Sequence, residues 1–235
     1  MAPEYKQYGN ANMIAAIFDF DGTLVSTPVW HCLIRYQLRH GYNRLPTLAH
    51  LACHYPLYPL ARLGLLSETG FRVLWAQHMP WVLRGMTVRQ VEAMFCGLVE
   101  SDLIHSIRPT VLERLRWHQR QQHEVILLSG TFQPLLDQFA HRLEVEHPVG
   151  MQPEVRNGRY TGRLAGCVCI GPGKVKRLQQ YSEQAGLHFD AQTSYAYADS
   201  YTDEQILSFV GHAVAVSPDA RLRQKAQSAG WEVLE

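Results

Sequence analysis

A short apolar run, Ile14-Ala15-Ala16-Ile17-Phe18, stops on Asp19-Phe20-Asp21-Gly22-Thr23. Consecutive apolar residues bounded by turn-formers read as a buried strand of the kind found inside parallel sheets. Its ending constrains the chain more than any other feature. Two carboxylates at i and i+2 of extended backbone point to the same side and repel unless something positive lies between them.

The rest of the chain supplies more strands of this type. From about Glu124 onward short apolar runs alternate with amphipathic stretches, the pattern of strand–helix units. Strands are expected at Val125 to Leu128, Tyr195 to Ala198, Ala213 to Val216 and Trp231 to Leu234, with helices at Pro134 to Leu143, Val175 to Ala185 and Asp219 to Ala229. Together with the first strand they predict an α/β fold, a doubly wound parallel Rossmann-like sheet. Residues 26–105 break the pattern: they read as several aromatic-rich helices with breaks at Gly41, Pro46, Pro56, Pro59, Gly70 and Gly85. An inserted helical cap domain at 26–105 and an α/β core domain formed by 1–25 and 106–235 follow. A smaller excursion, Val155 to Leu164, carries Asn157-Gly158, which suits a tight hairpin turn.

Composition narrows the function classes. The 235 residues are 46% hydrophobic, enough for a full core, and the formal net charge is +1. Such a balance argues against nucleic acid or an anionic membrane as a partner held by charge. No apolar stretch approaches the ~18 to 20 residues that cross a bilayer, and the polar MAPEYKQYGNAN start lacks the apolar segment of a signal peptide, so the cytoplasm is the expected location. Five scattered cysteines suit a reducing compartment. Cys167 and Cys169 read as two strand cysteines on one face rather than a zinc site, and His31, His40, His50, His54 and His78, without repeated i, i+4 pairing, as solvated or hydrogen-bonded side chains.

Ligands of open α/β sheets sit beyond the carboxyl ends of the strands. There the first strand delivers Asp19, Asp21 and Thr23. The second delivers Ser129-Gly130-Thr131 directly ahead of a helix, where a hydroxyl and free amides suit an anion such as phosphate. Gly171-Pro172-Gly173-Lys174 opens another helix, and the strand ending at Ala198 runs into Asp199, Thr202 and Asp203. Each alone reads as a cap or a solvated corner. At one sheet edge they form a set: three facing carboxylates call for a divalent cation, and hard oxygen ligands specify Mg²⁺ rather than zinc.

The stretches DFDGTL, LLSGTF, GKVKRL and ADSYTDEQIL, in that order, resemble the four motifs of the haloacid dehalogenase superfamily of phosphatases. The insert after the first motif and the hairpin before the lysine make the chain similar to the phosphoserine phosphatase-like branch, from about Met13 to Glu235. The resemblance implies that Asp19 attacks phosphorus to form an aspartyl-phosphate and that Asp21 is the general acid and base. It implies Mg²⁺ held by Asp19, Asp21 through its backbone carbonyl, and Asp199. Ser129, Gly130 and Lys174 would hold the phosphoryl oxygens, Thr23 would orient the first loop, and Asp203 would support Lys174 or water around the metal. Asp203 is also explained as the acid at the start of helix Glu204 to Phe209.

The expected activity is therefore a Mg²⁺-dependent phosphomonoesterase acting on a small phosphorylated metabolite. A phosphate-binding module without turnover and a sugar phosphomutase are the alternatives. The second aspartate argues against dehalogenation. The branch's glutamate for the serine ammonium is matched by Pro28, its arginine for the carboxylate by Met79, and its asparagine in the fourth motif by Thr202. Poor turnover of phosphoserine follows. Of Trp30, Tyr36, Tyr42, Tyr55, Tyr58, Phe71, Trp75 and Trp81, one or two are expected to face the site and the rest to pack; of Arg35, Arg39, Arg62, Arg72 and Arg84, one is expected to reach the substrate.

Overall fold

The apolar runs pair as parallel strands. A computed structural model describes residues 13–56, 59 and 67–235. In it β1 (Ala15–Phe18), β2 (Glu124–Phe132), β3 (His147–Met151), β6 (Tyr195–Ala198), β7 (His212–Val216) and β8 (Glu232–Leu234) form one sheet in the order β3-β2-β1-β6-β7-β8. All of its pairings are parallel. The period of two explains the layers: Ala16, Phe18, Val125 and Leu127 join one apolar cluster, whereas Ala15, Ile17, Ile126 and Leu128 join another on the opposite face. Both faces therefore need helices.

Helices α5 (Pro109–Arg120), α6 (Gln133–Arg142), α7 (Pro172–Ala185), α8 (Glu204–Phe209) and α9 (Ala220–Ala229) supply that cover. Preceding them in the chain, α1 (Val29–His40), α2 (Arg44–His54), α3 (Glu68–His78) and α4 (Val88–Leu98) lie in the inserted segment. Their Val29, Leu33, Met94, Phe95 and Leu98 belong to the same cluster as Phe18 and Phe139, so the insertion packs its apolar faces onto one side of the sheet. Where the chain leaves for the insertion and where it returns, it pairs with itself: Ser26 N donates to Ser106 O at 2.8 Å and Arg108 N to Leu24 O at 2.9 Å.

The hairpin forms as expected, with β4 (Pro153–Arg156) and β5 (Arg159–Leu164) antiparallel around Asn157 and Gly158, whose φ of 50° and 71° are those of a two-residue turn. Its outer edge is taken by the insertion, with Tyr160 N donating to Met86 O at 2.9 Å and Gly85 N to Tyr160 O at 2.8 Å.

Several sequence expectations need correction. Pro46 and Gly70 lie in the first turns of α2 and α3 rather than at breaks, because a first-turn N–H has no intrahelical acceptor to lose, and Ser67 Oγ accepts from Gly70 N at 3.0 Å. Strand β3 was not expected: Pro148 and Gly150 dilute its apolar signal, as an edge strand tolerates. Cys167 and Cys169 lie outside any strand, the first exposed and the second buried. Tyr58 and Arg62 lie outside the described residues.

Candidate active site

The switch in strand order falls beside β1, whose neighbours β2 and β6 lead to opposite halves of the sheet. Phe18 is level with Tyr197 and with Leu127, so Asp19, Asp199 and Ser129 all emerge at one edge. Asp19 N donates to Tyr197 O at 2.9 Å, which continues the ladder one residue past β1 and fixes where this carboxylate starts.

Asp19, Asp199 and Asp203 each offer a carboxylate oxygen, and these oxygens lie within 4.8 Å of one another. Lys174, on the first turn of α7 and only 4% exposed, reaches into the same space. Its Nζ donates to Asp19 Oδ1 at 2.6 Å and sits 2.9 Å from Asp203 Oδ1. Burial alone would push the ammonium down, but the charges of Asp19 and Asp203 outweigh it and hold its pKa raised. Thr23 Oγ1 lies 3.1 Å from Asp19 Oδ2 and 3.0 Å from Asp199 Oδ1, so its single proton serves two carboxylates.

One ammonium against three acids leaves excess negative charge. Burial and then the charge of Asp19 push Asp199 up to about 7, and burial likewise lifts Asp203 to about 6. A small divalent cation between the carboxylates would relieve the same repulsion. All-oxygen donors at this spacing fit a hard divalent cation such as Mg²⁺, which Asp19, Asp199 and Asp203 could hold.

Asp21 stands apart from this cluster. Its Oδ1 accepts from Val29 N at 3.2 Å, at the start of α1. Burial and the neighbouring Asp19 raise its pKa to about 7, so near neutral pH this carboxyl can carry a proton. The intervening Gly22 has a φ of 88°, and a Cβ there would stand 2.3 Å from Asp199 Oδ2. Only glycine lets the two acidic loops approach so closely.

Ser129 and Gly130 are at the edge, but not at a helix N-terminus as expected. Strand β2 continues through an irregular stretch to Phe132, and α6 begins only at Gln133. The Ser129 hydroxyl accepts from Thr131 N at 3.1 Å within this stretch. Asp203 ends a short turn, Tyr201–Asp203, directly before α8, and its carboxylate faces Lys174. Thr202 Oγ1 lies 3.1 Å from Ser200 Oγ in the same loop.

These residues floor a cavity of about 640 Å³ whose walls come partly from the insertion. Trp30, Tyr55, Phe71 and Trp75 all line it, more aromatics than expected; among the described residues Arg72 is the arginine of the insertion that reaches it. Pro28 lines it too, whereas Met79 is fully buried in the core. Sequence reasoning missed Arg108, which directly precedes α5, lines the cavity and donates from Nε to Gly22 O at 3.2 Å. It also missed Ser200, whose Oγ lies 3.4 Å from Arg72 Nη1. Neither belongs to a spacing pattern, so no local signal marks them.

The family model for haloacid dehalogenase-like hydrolases matches residues 16–208. The chain belongs to this family. The hydrolase is 31% identical over 222 residues to a phosphoserine phosphatase of Mycobacterium tuberculosis, covering 93% of this chain and 70% of the relative. It is 28% identical to a histidinol-phosphatase of Neisseria meningitidis, covering 93% and 97% of the two chains. Among solved structures, a protein of unknown function from Bordetella pertussis superposes with a TM-score of 0.80 at 24% identity, covering 95% of the hydrolase and 99% of that chain, which shows the shared fold. Among the described residues no helix is long and apolar enough to cross a membrane.

Proposed function

We propose that the chain is a Mg²⁺-dependent phosphomonoesterase that acts on a small phosphorylated metabolite through an aspartyl-phosphate on Asp19. The observation that carries this reading is the convergence of Asp19, Asp199 and Asp203 within 4.8 Å, with Lys174 bonded to two of them. The relatives' names support the phosphatase class, and because they name two different substrates they do not fix one.

Asp19 serves as nucleophile: a carboxylate needs no base to activate it, and Thr23 and Lys174 hold it in one orientation. Mg²⁺, when bound, would screen the charge of the phosphoryl group so that an anionic nucleophile can approach. Lys174 and Ser129 hold the phosphoryl oxygens as charge shifts in the transition state. Asp21, not tied to the acidic cluster, gives its proton to the leaving alkoxide and later takes one from the attacking water. Asp203 positions Lys174. The helical insertion, taken as residues 26–105, acts as a cap that shields the reaction and contacts the leaving group. With Pro28 in the wall and Met79 in the core, neither charged group that grips phosphoserine in its own phosphatases is supplied at these positions, so phosphoserine is a poor substrate.

The test is phosphate release from an aryl phosphate with Mg²⁺ and after chelation. Turnover that vanishes on chelation and in Asp19→Asn is expected, with radiolabel from the ester trapped on acid-quenched protein. Full activity in Asp19→Asn refutes the assignment.

A further inference from the structure

A second cavity, of about 500 Å³, opens on the seam between the insertion and the hairpin β4–β5. Among the described residues, none that lines it also lines the cavity over Asp19. The insertion contributes Trp81 and Arg84; the hairpin contributes Glu154, Arg156, Thr161 and Arg163. The period of two puts Glu154 and Arg156 on one face of β4, and Thr161 and Arg163 on one face of β5. Thr161 Oγ1 donates to Glu154 Oε2 at 2.7 Å, so both pairs share the same face of the hairpin.

The insertion presents its two residues to that face in fixed positions. In the turn Met79–Leu83, Met79, Pro80, Val82 and Leu83 are buried while Trp81 stays 37% exposed. Its indole stacks on His78 at 5.4 Å between centroids and stands edge-on to His54 at 5.9 Å, so the ring is held without being covered. A ring already ordered in this way can receive a second flat ring at little entropic cost. The stem of Arg84 lies along Gly162, where a Cβ would stand 3.1 Å from Arg84 Cβ and 3.3 Å from its Cγ and Cδ. A side chain at Gly162 would push that stem away.

The charges are out of balance. Three guanidinium groups, on Arg84, Arg156 and Arg163, share the cavity with one carboxylate, Glu154. Glu154 is engaged on both oxygens: Thr161 donates to Oε2, and Arg156 donates to Oε1 from Nε at 2.9 Å and from Nη2 at 2.6 Å. Among the described residues neither Arg84 nor Arg163 has an ion pair or a hydrogen bond from its guanidinium. Two such cations beside one cavity repel each other, and an anion of more than one charge would relieve both through charge-assisted bonds.

We infer that this seam is a second binding site, for a small molecule with a flat ring and two or more negative charges, the chemistry of a nucleoside diphosphate. Trp81 takes the ring, Arg84 and Arg163 take the anionic groups, and Arg156 stays with Glu154. The ligand would tie the insertion to the hairpin, whose second strand leads through Gly171 to α7 and Lys174. The site needs neither Mg²⁺ nor turnover, so it stands or falls apart from the phosphatase reading.

The experiment is calorimetric titration of the protein in EDTA with adenosine diphosphate, pyrophosphate and adenosine as probes. The diphosphate is expected to bind one-to-one and about tenfold or more tightly than pyrophosphate or adenosine, each of which lacks one of the two contacts. Arg84→Gln, Arg163→Gln and Trp81→Leu should each weaken it by about tenfold. Glu154→Gln releases Arg156 and should tighten it several-fold, a gain that misfolding cannot imitate. Arg108→Gln, which alters the other cavity, should leave its affinity unchanged. No binding at millimolar diphosphate, equal affinity for pyrophosphate or adenosine, parental affinity in Arg84→Gln and Arg163→Gln, no gain in Glu154→Gln, or a loss in Arg108→Gln overturns the inference.

Discussion

Gly22→Ala is the sharpest test of how the two acidic loops meet. The added Cβ would stand 2.3 Å from Asp199 Oδ2 and 2.7 Å from its Cγ. Ordinary contacts of this kind lie at about 3.5 Å, so the Asp199 carboxylate must retreat by roughly 1 Å. Misplacement of a reacting group by about that distance costs ~10²-fold in rate. A second effect is separate: Gly22 has a φ of 88°, which costs an L-residue about 1–2 kcal/mol. Gly158→Ala isolates it, because Gly158 has a φ of 71° but nothing within 4 Å of its added Cβ. Both variants should lose about 1–2 kcal/mol in urea unfolding. Only Gly22→Ala should lose about two orders of magnitude in kcat/KM on an aryl phosphate and bind Mg²⁺ more weakly. Parental kcat/KM in Gly22→Ala, or an equal loss in Gly158→Ala, would refute the argument from close approach.

Further outcomes follow from the same geometry. Lys174→Met leaves buried Asp19 and Asp203 without their ammonium, so urea unfolding of metal-free protein at pH 8 should show a loss of about 3–5 kcal/mol and steady-state assays a fall in kcat of ~10²-fold or more. Mg²⁺ that binds only the folded state should raise stability by about 2.7 kcal/mol at a hundredfold excess over its Kd, and Asp199→Asn should abolish most of that gain in thermal melts. Burial, then the neighbouring His123 and Arg114, lowers His118 to about 3, and burial, then His54 and His78, lowers His50 to about 4. Both stay neutral when folded while the unfolded chain takes up protons below pH 6.5, so their stabilisation is whole above 6.5 and is lost as pH falls towards 4. Each should account for about 2 kcal/mol of loss at pH 5, and His118→Gln should flatten the stability–pH slope by about 1.4 kcal/mol per pH unit.

Much of the fold was legible because the strands that build the site are buried on both faces and therefore read as unbroken apolar runs. Tyr195–Ala198 and Glu204–Phe209 have the boundaries expected from the sequence. The edge strand His147–Met151 was not legible, since it is covered less and admits Pro148 and Gly150. For the site, residues that follow a strand end could be located because sheet register carries them: Asp19 and Asp199 are each one residue beyond a paired position. Ser129 was placed on the correct edge but in the wrong local structure, because the irregular extension of β2 has no apolar signature. The Ser200–Arg72 contact and the four-ring wall depend on how the insertion lies against the sheet, and Arg108 on its approach to Gly22 O, tertiary facts with no spacing rule in one dimension.

The acidic cluster also shows where this chain departs from a sequence optimised for stability. Isolated folding would not gather Asp19, Asp199 and Asp203: desolvation and mutual repulsion oppose ionisation of the latter two and raise their pKa values. The backbone enforces the meeting. Asp19 is held through its N–H to Tyr197 O, Asp199 follows directly on the strand that carries Tyr197, and Asp203 N is tied back to Ser200 O at 2.9 Å. Each tether draws on the buried sheet, where Phe18 stacks on Tyr197 at 4.3 Å and the hydroxyl of Tyr197 meets His118 Nε2 at 2.9 Å. The stability of the sheet thus supports an arrangement that is unfavourable by itself, and a bound cation would relieve it only once the strands are in register. Damage to the Phe18–Tyr197–His118 stack should therefore reach the site by letting β1 and β6 slide apart, although none of the three side chains lines the cavity.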